Sequence, residues 1–138
     1  MSDDAMLAQL RSVPLFAGLK DKALKDVLGR TREVEHTGGE IVEEGSQGVG
    51  FHLILDGTAT VLQHGEERRT LGPGDYFGEI SLIDGQPRSA TVRPDGPVRT
   101  LSLAAWNFEP LLEKHPTMAH ELLLGLCAHV REAEARST

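Results

Sequence analysis

An α+β chain is what the sequence predicts: a roll of short antiparallel strands with helices at both ends. Three observations carry this. Apolar residues recur at helical spacing near the N-terminus; the middle breaks into short Val-, Ile-, Leu- and Thr-rich segments between glycine turns; helical spacing returns after residue 103. With 138 residues, 39% of them hydrophobic, the chain can build one compact domain with a core of its own. Residues 1–138 therefore read as a single domain in three parts: helices over 1–30, the roll over 31–103, and two helices over 104–136.

Residues 3–10 and 20–29 read as short amphipathic helices, with Val13-Pro14-Leu15-Phe16 as the break between them. Leu24, Val27 and Leu28 fall at i, i+3 and i+4 and form one stripe, and Gly29 is a stop signal. Strands are expected at 33–36, 40–43, 51–55, 59–63, 69–71, 90–92 and 98–103. Thr37-Gly38-Gly39, Asp56-Gly57, His64-Gly65, Gly72-Pro73-Gly74-Asp75 and Asp95-Gly96-Pro97 supply the turns. Many short strands at this spacing indicate an antiparallel roll or barrel. Residues 104–114 carry Trp106, Phe108, Leu111 and Leu112 at helical spacing; Pro116 resets the chain, and 117–134 reads as one last helix.

The formal net charge of −7 argues against a surface that tracks a nucleic-acid backbone, and no second basic helix follows the last one. Direct DNA binding is therefore not expected. The single Cys127 has no disulfide partner within the chain, and its apolar helical setting reads as a small core residue in a reducing compartment. The N-terminus lacks a basic segment followed by an apolar one, and no apolar run approaches a membrane span. These features lead to the expectation of a cytoplasmic protein without a membrane segment.

The densest chemistry lies in 77–92, Phe77-Gly78-Glu79-Ile80-Ser81-Leu82-Ile83-Asp84-Gly85-Gln86-Pro87-Arg88-Ser89-Ala90-Thr91-Val92. Gly78 lets a ligand approach the backbone. Residues 80–83 read as one helical turn whose first amides can face an anion. Arg88 adds a planar donor fork suited to phosphate oxygens. Glu79 would repel phosphate, so it makes sense only beside a group that donates to it, such as a sugar hydroxyl. Taken alone, a Gly-Glu pair is an ordinary turn, and Glu79 with Arg88 could be a hairpin salt bridge.

The whole run resembles the phosphate-binding cassette of the cyclic nucleotide-binding domain family, of the catabolite activator and protein kinase A regulatory subunit type. The likeness extends to Val13-Pro14-Leu15-Phe16-Ala17-Gly18-Leu19, to the segment from Gly38 to Gly45, to 51–57 and to 71–78, covering roughly residues 10–132. It implies an eight-stranded, jelly-roll-like β-roll with N-terminal helices and two C-terminal helices. It also implies that Glu79 takes the ribose 2′-hydroxyl and Arg88 a phosphate oxygen. Gly78, Ile80 and Ser81 are expected to offer backbone amides, and Ser89 a backbone N–H. Serine at position 89 tilts the expected ligand to cAMP, with cGMP as the alternative. Base contacts come from the last helix in this family; here Leu123, Leu126, Cys127 and Arg131 are the candidates, because Ala133, where a polar residue is expected, has no donor or acceptor.

Two positions depart from the pattern: Val49 stands where an acidic residue is common, and His52 replaces a common tyrosine, both read as affecting packing or turn geometry. The resemblance implies a non-enzymatic regulatory module with no cofactor and no metal, signalling to a separate effector protein through movement of its last helix, whose apolar face could also pair two copies. Two alternatives compete. One is a degenerate version of the fold used for protein interaction, against which intact Glu79 and Arg88 argue. The other is a cupin-like metal enzyme, but the six histidines show no His-x-His pair.

Overall fold

In chain order, the computed structural model contains α1 (Asp3–Arg11), α2 (Asp21–Gly29), β1 (Arg32–His36), β2 (Gly50–Asp56), β3 (Ala59–Gln63), β4 (Glu66–Leu71), β5 (Tyr76–Phe77), α3 (Ser81–Asp84), β6 (Thr91–Pro94), β7 (Val98–Ala104), α4 (Ala105–Lys114) and α5 (Met118–Ser137). It describes residues 2–46 and 50–137, so Val49 lies outside the described residues. Two compact units emerge, one of Met1–Arg30 with Asn107–Thr138 and one of Thr31–Trp106.

In the helical unit, Ser2 Oγ accepts the Ala5 amide at 3.2 Å and starts α1, with Asp3 and Asp4 in the first turn. Met6 and Leu10, four apart, are the buried side of that helix. Arg11 closes the helix and straps the connection to α2, donating to the Leu19 carbonyl at 2.9 Å and to Asp21 at 2.7 Å. The expected break is itself structured. Val13 is extended ahead of proline, and Pro14–Phe16 form a 3₁₀ turn that buries Leu15 and Phe16. α5 lies close against that turn: a Cβ on Gly125 would run into the Pro14 carbonyl oxygen. The Phe16 and Phe108 rings meet edge to face at 6.4 Å. Asp26 joins α2 to the end of α4, accepting from His115 Nε2 at 2.7 Å and lying 3.0 Å from Lys114 Nζ. These two donors hold the Asp26 carboxyl below the ordinary carboxylate range. The last helix runs three residues past the expected end, to Ser137. Trp106 is exposed, unlike Phe108 and Leu111. Cys127 is exposed too, so the reading of it as a core residue is corrected: Met118, Leu122 and Gly125 carry the buried stripe of α5, and Cys127 falls off it.

In the strand unit, all pairings are antiparallel and form a four-stranded sheet, β1-β7-β2-β5, and a three-stranded sheet, β4-β3-β6. Val42, Ile54, Ala59, Val61, Leu71, Phe77, Val92 and Val98 form the core of the roll. Alternate residues of the larger sheet, Phe51, Leu53, Leu101 and Leu103, are buried as well, so β2 shows no polar face. The β3–β4 hairpin turns through His64 and Gly65, both at positive φ, as a two-residue turn of this hand requires. Asp95 closes another turn, accepting from Thr60 Oγ1 at 2.7 Å.

Seven strands stand among the described residues: Tyr76–Phe77 is an unexpected one, and the strand expected at 40–43 is reduced to a single bridge between Val42 and Val92. Gly39 and Gly45, both at positive φ, bound that segment and prevent a longer ladder. β4 is longer than the expected 69–71, because Glu66 and Glu67 pair with Gln63 and Leu62 while remaining exposed, and the register shifts past Arg68.

Candidate functional site

Gly78 sits at φ +84°, directly after the two-residue strand β5. The position needs glycine for a second reason. A Cβ there would collide with the Arg88 guanidinium and with the Gly50 carbonyl oxygen. Gly78→Ala is accordingly expected to destabilise the fold by roughly 1–3 kcal/mol, read as a lower midpoint in urea, and an unchanged midpoint would refute this packing.

The next residues form the expected turn. α3 begins after Ile80, which accepts the amides of Ile83 at 2.9 Å and Asp84 at 3.0 Å. Gly85, in the left-handed conformation, ends the helix by donating to the Ser81 carbonyl. Leu82 points into the protein, whereas Ile80 and Ile83 are 45% and 48% exposed. The Leu82 amide donates to the Glu79 carbonyl at 3.3 Å, and among the described residues the amides of Ile80 and Ser81 have no acceptor.

Arg88 is the centre of the site. Its backbone is fixed on both sides, donating from N to the Ser46 carbonyl and accepting the Gly45 amide at its own carbonyl, each at 2.8 Å. Its side chain is buried at 7% exposure, and Nη2 donates to the Gly50 carbonyl. The Nε–H has no hydrogen-bond partner among the described residues. No ion pair holds Arg88 among the described residues. Burial pushes the guanidinium below its ordinary pKa, and the Glu79 carboxylate pulls it part of the way back. Glu79 is thus near enough to be felt without forming the hairpin salt bridge that was the ordinary reading of this pair.

Of the residues singled out in the sequence, Gly78, Glu79 and Arg88 come together, with Ile80 and Ser81 following at the start of α3. Ser89 is exposed, and its carbonyl accepts Gln63 Nε2 at 3.1 Å. Leu123, Leu126, Cys127 and Arg131 all belong to α5 in the helical unit: Leu126 is half-buried, the other three are exposed.

The sequence reading undervalued two residues, Gly50 and His52. Gly50 supplies the carbonyl that Arg88 holds, at φ +145°, where a Cβ would strike the Leu103 carbonyl. His52 is buried, in register with Ser102 on one side and Phe77 on the other. Its Nδ1 lies 2.7 Å from Ser102 Oγ, its ring stacks on Phe77 at 5.1 Å, and its Nε2 is without a partner among the described residues. Burial, then the Arg88 charge, then His36 push its pKa down to about 3. The available signal was its place two residues before inward-facing Ile54 on an otherwise apolar strand.

Known proteins bear on this geometry. The chain is 38% identical over 108 residues to the potassium/sodium hyperpolarization-activated cyclic nucleotide-gated channel 4 of Oryctolagus cuniculus, a match that spans 78% of this chain and 9% of the channel. The crystal structure of the N-terminal domain of a transcriptional regulator from Streptomyces coelicolor superposes with a TM-score of 0.79 at 29% identity, covering 91% of this chain and 94% of that one. The regulatory domain of Toxoplasma gondii PKA, co-crystallised with cAMP, gives a TM-score of 0.67 at 29% identity over 80% of this chain and 46% of its own. No helix among the described residues is long and apolar enough to cross a membrane. The profile of the cyclic nucleotide-binding domain matches residues 35–115, a span that holds every strand but the first residues of β1 and all of 77–92, and the chain belongs to that family.

Proposed function

We propose that this chain binds cAMP in preference to cGMP, does not turn it over, and reports occupancy to a separate effector protein through its last helix. The observation that carries the reading is Arg88: a buried guanidinium without a carboxylate partner among the described residues, packed into the space that Gly78 leaves by having no Cβ. A buried cation is costly unless an anion meets it. A cyclic phosphate fits that need, and the neighbouring Glu79 suits a ribose hydroxyl that a simple phosphate lacks. The amides of Ile80 and Ser81 add donors on the anion's side, as does the backbone of Ser89.

Calorimetric titration of protein stripped of nucleotide tests this, with cAMP and cGMP as titrants. Saturable heat with cAMP at lower concentration than with cGMP is expected; no heat and no change in melting temperature with either would overturn the reading. Transmission to an effector makes a further demand, since a ligand shifts a conformational equilibrium only by binding one state more tightly. Amide hydrogen exchange along α5 is therefore expected to slow at saturating cAMP. Exchange there that ignores the ligand would refute the relay.

A further inference from the structure

A chain of polar side chains runs across the inner side of the four-stranded sheet: His36 Nε2 to Thr100 Oγ1 at 3.0 Å, Thr100 Oγ1 to Ser102 Oγ at 2.9 Å, and Ser102 Oγ to His52 Nδ1 at 2.7 Å. At the end of this run, two buried nitrogens have no hydrogen-bond partner among the described residues: His52 Nε2 and the neighbouring Arg88 Nε. Both belong to one corner of the roll. Arg88 grips the carbonyl of Gly50, two residues before His52 on β2, and crowds Gly78, the residue after the Phe77 on which His52 stacks.

Donor counting sets the direction of this chain. Three hydrogen bonds need three protons, and the hydroxyls of Thr100 and Ser102 supply two. The third comes from one of the two histidines. If His36 gave it, the run of donors would end on His52 Nδ1 and put the His52 proton on Nε2, leaving a second buried N–H beside the Arg88 cation. If His52 gives it from Nδ1, Nε2 is bare and becomes an acceptor. Arg88 and burial both favour a neutral His52, in keeping with its depressed pKa. The two orphans are then complementary, one N–H donor and one lone pair, each lacking what the other has.

We propose that His52 is a positioning residue for Arg88. When the Nη nitrogens turn from the Gly50 carbonyl to the phosphate oxygens, His52 Nε2 accepts the Arg88 Nε–H and fixes the plane of the guanidinium. The inference rests on the cyclic nucleotide reading above, and the same residue does not touch the ligand. Ser102, Thr100 and His36 behind it hold the tautomer, as an outer layer of hydrogen bonds holds an imidazole in the ring state its function needs.

The test is cAMP titration of the wild type, Arg88→Ala, His52→Phe and His52→Gln. Phenylalanine keeps a ring against Phe77 and removes the acceptor; glutamine returns an acceptor without the ring. Affinity is expected to fall at least about ten-fold in His52→Phe, the size of a lost bond to a charged group, and to recover most of that in His52→Gln. Wild-type affinity in His52→Phe, with Arg88→Ala abolishing binding, overturns the role of His52 and leaves the ligand reading intact. A wild type that binds no cAMP overturns both. Nitrogen NMR of the wild type keeps the idea testable if a variant fails to fold: on adding cAMP, the Arg88 Nε–H signal is expected to sharpen and show coupling to a non-protonated His52 Nε2. A His52 that carries its proton on Nε2 in the bound protein would refute the proposal.

Discussion

Arg88→Ala is expected to weaken cAMP binding by roughly 2–5 kcal/mol, at least about thirty-fold, while the free protein melts at or near the wild-type temperature. The two halves of this expectation come from the same fact. Among the described residues, the buried Arg88 side chain has one hydrogen bond, to Gly50, and a partnerless Nε–H, so its charge is poorly repaid. Removing it relieves that cost and forfeits the Gly50 contact, and the two offset one another. Phosphate, by contrast, gains its bonds only when Arg88 is present. Titration alongside thermal melting measures both. Wild-type affinity in the variant would place the anion elsewhere; a large drop in melting temperature would mean that Arg88 serves the fold first.

The second large effect concerns acid. His52 binds a proton at about pH 6.5 when unfolded and only near pH 3 when folded, because burial, Arg88 and His36 oppose its charge. Between those values the unfolded chain holds more protons, so stability falls as the pH falls. The loss reaches about 2 kcal/mol between pH 7 and pH 5, and about 4–5 kcal/mol once the pH lies below both values. Against the 5–15 kcal/mol typical of a whole domain, about 2 kcal/mol is a large share. Urea unfolding at a series of pH values is expected to show this slope in the wild type and a flatter one in His52→Phe. Equal slopes would mean that His52 is not the buried neutral group described above. The same variant is thus expected to tolerate acid better and to bind cAMP worse, a pairing that loss of packing alone does not produce.

Much of this was legible in the residues, and the failures have particular causes. Apolar, β-branched runs between glycine turns located β2, β3 and β7, and helical spacing located α2 and α4, because each of them buries apolar side chains. The run 77–92 stood out by its resemblance to the family's cassette as a whole, because Gly78, Glu79 and Arg88 taken alone also suit an ordinary turn and a salt bridge. Residues 40–43 look like a strand by composition, but the glycines around them allow only the Val42 bridge. β4 hid behind its charges, because an outer strand can pair its backbone while every side chain but Leu71 stays in water. Tyr76–Phe77 is too short for any periodicity to register. The importance of His52 was hidden for a different reason: it depends on Ser102, Thr100 and His36, which sequence places far away and only the register of β7 brings alongside.

That register also dictates an order of assembly. β7 is the interior strand on which β1 and β2 both depend: Arg32 pairs with Ser102 and Gly50 with Ala104. On a ribosome, β3 and β4 can zip around His64-Gly65 early, since their contacts are local. β1 and β2, with Phe51 and Leu53 bare, must wait for a strand made much later, and such distant closures are slow. The Gly50 carbonyl that holds Arg88 is set in place by that last pairing. The proposed phosphate site is therefore among the final parts of the strand unit to mature, and a nascent chain stalled before β7 carries every residue of 77–92 without the Gly50 carbonyl fixed against Arg88.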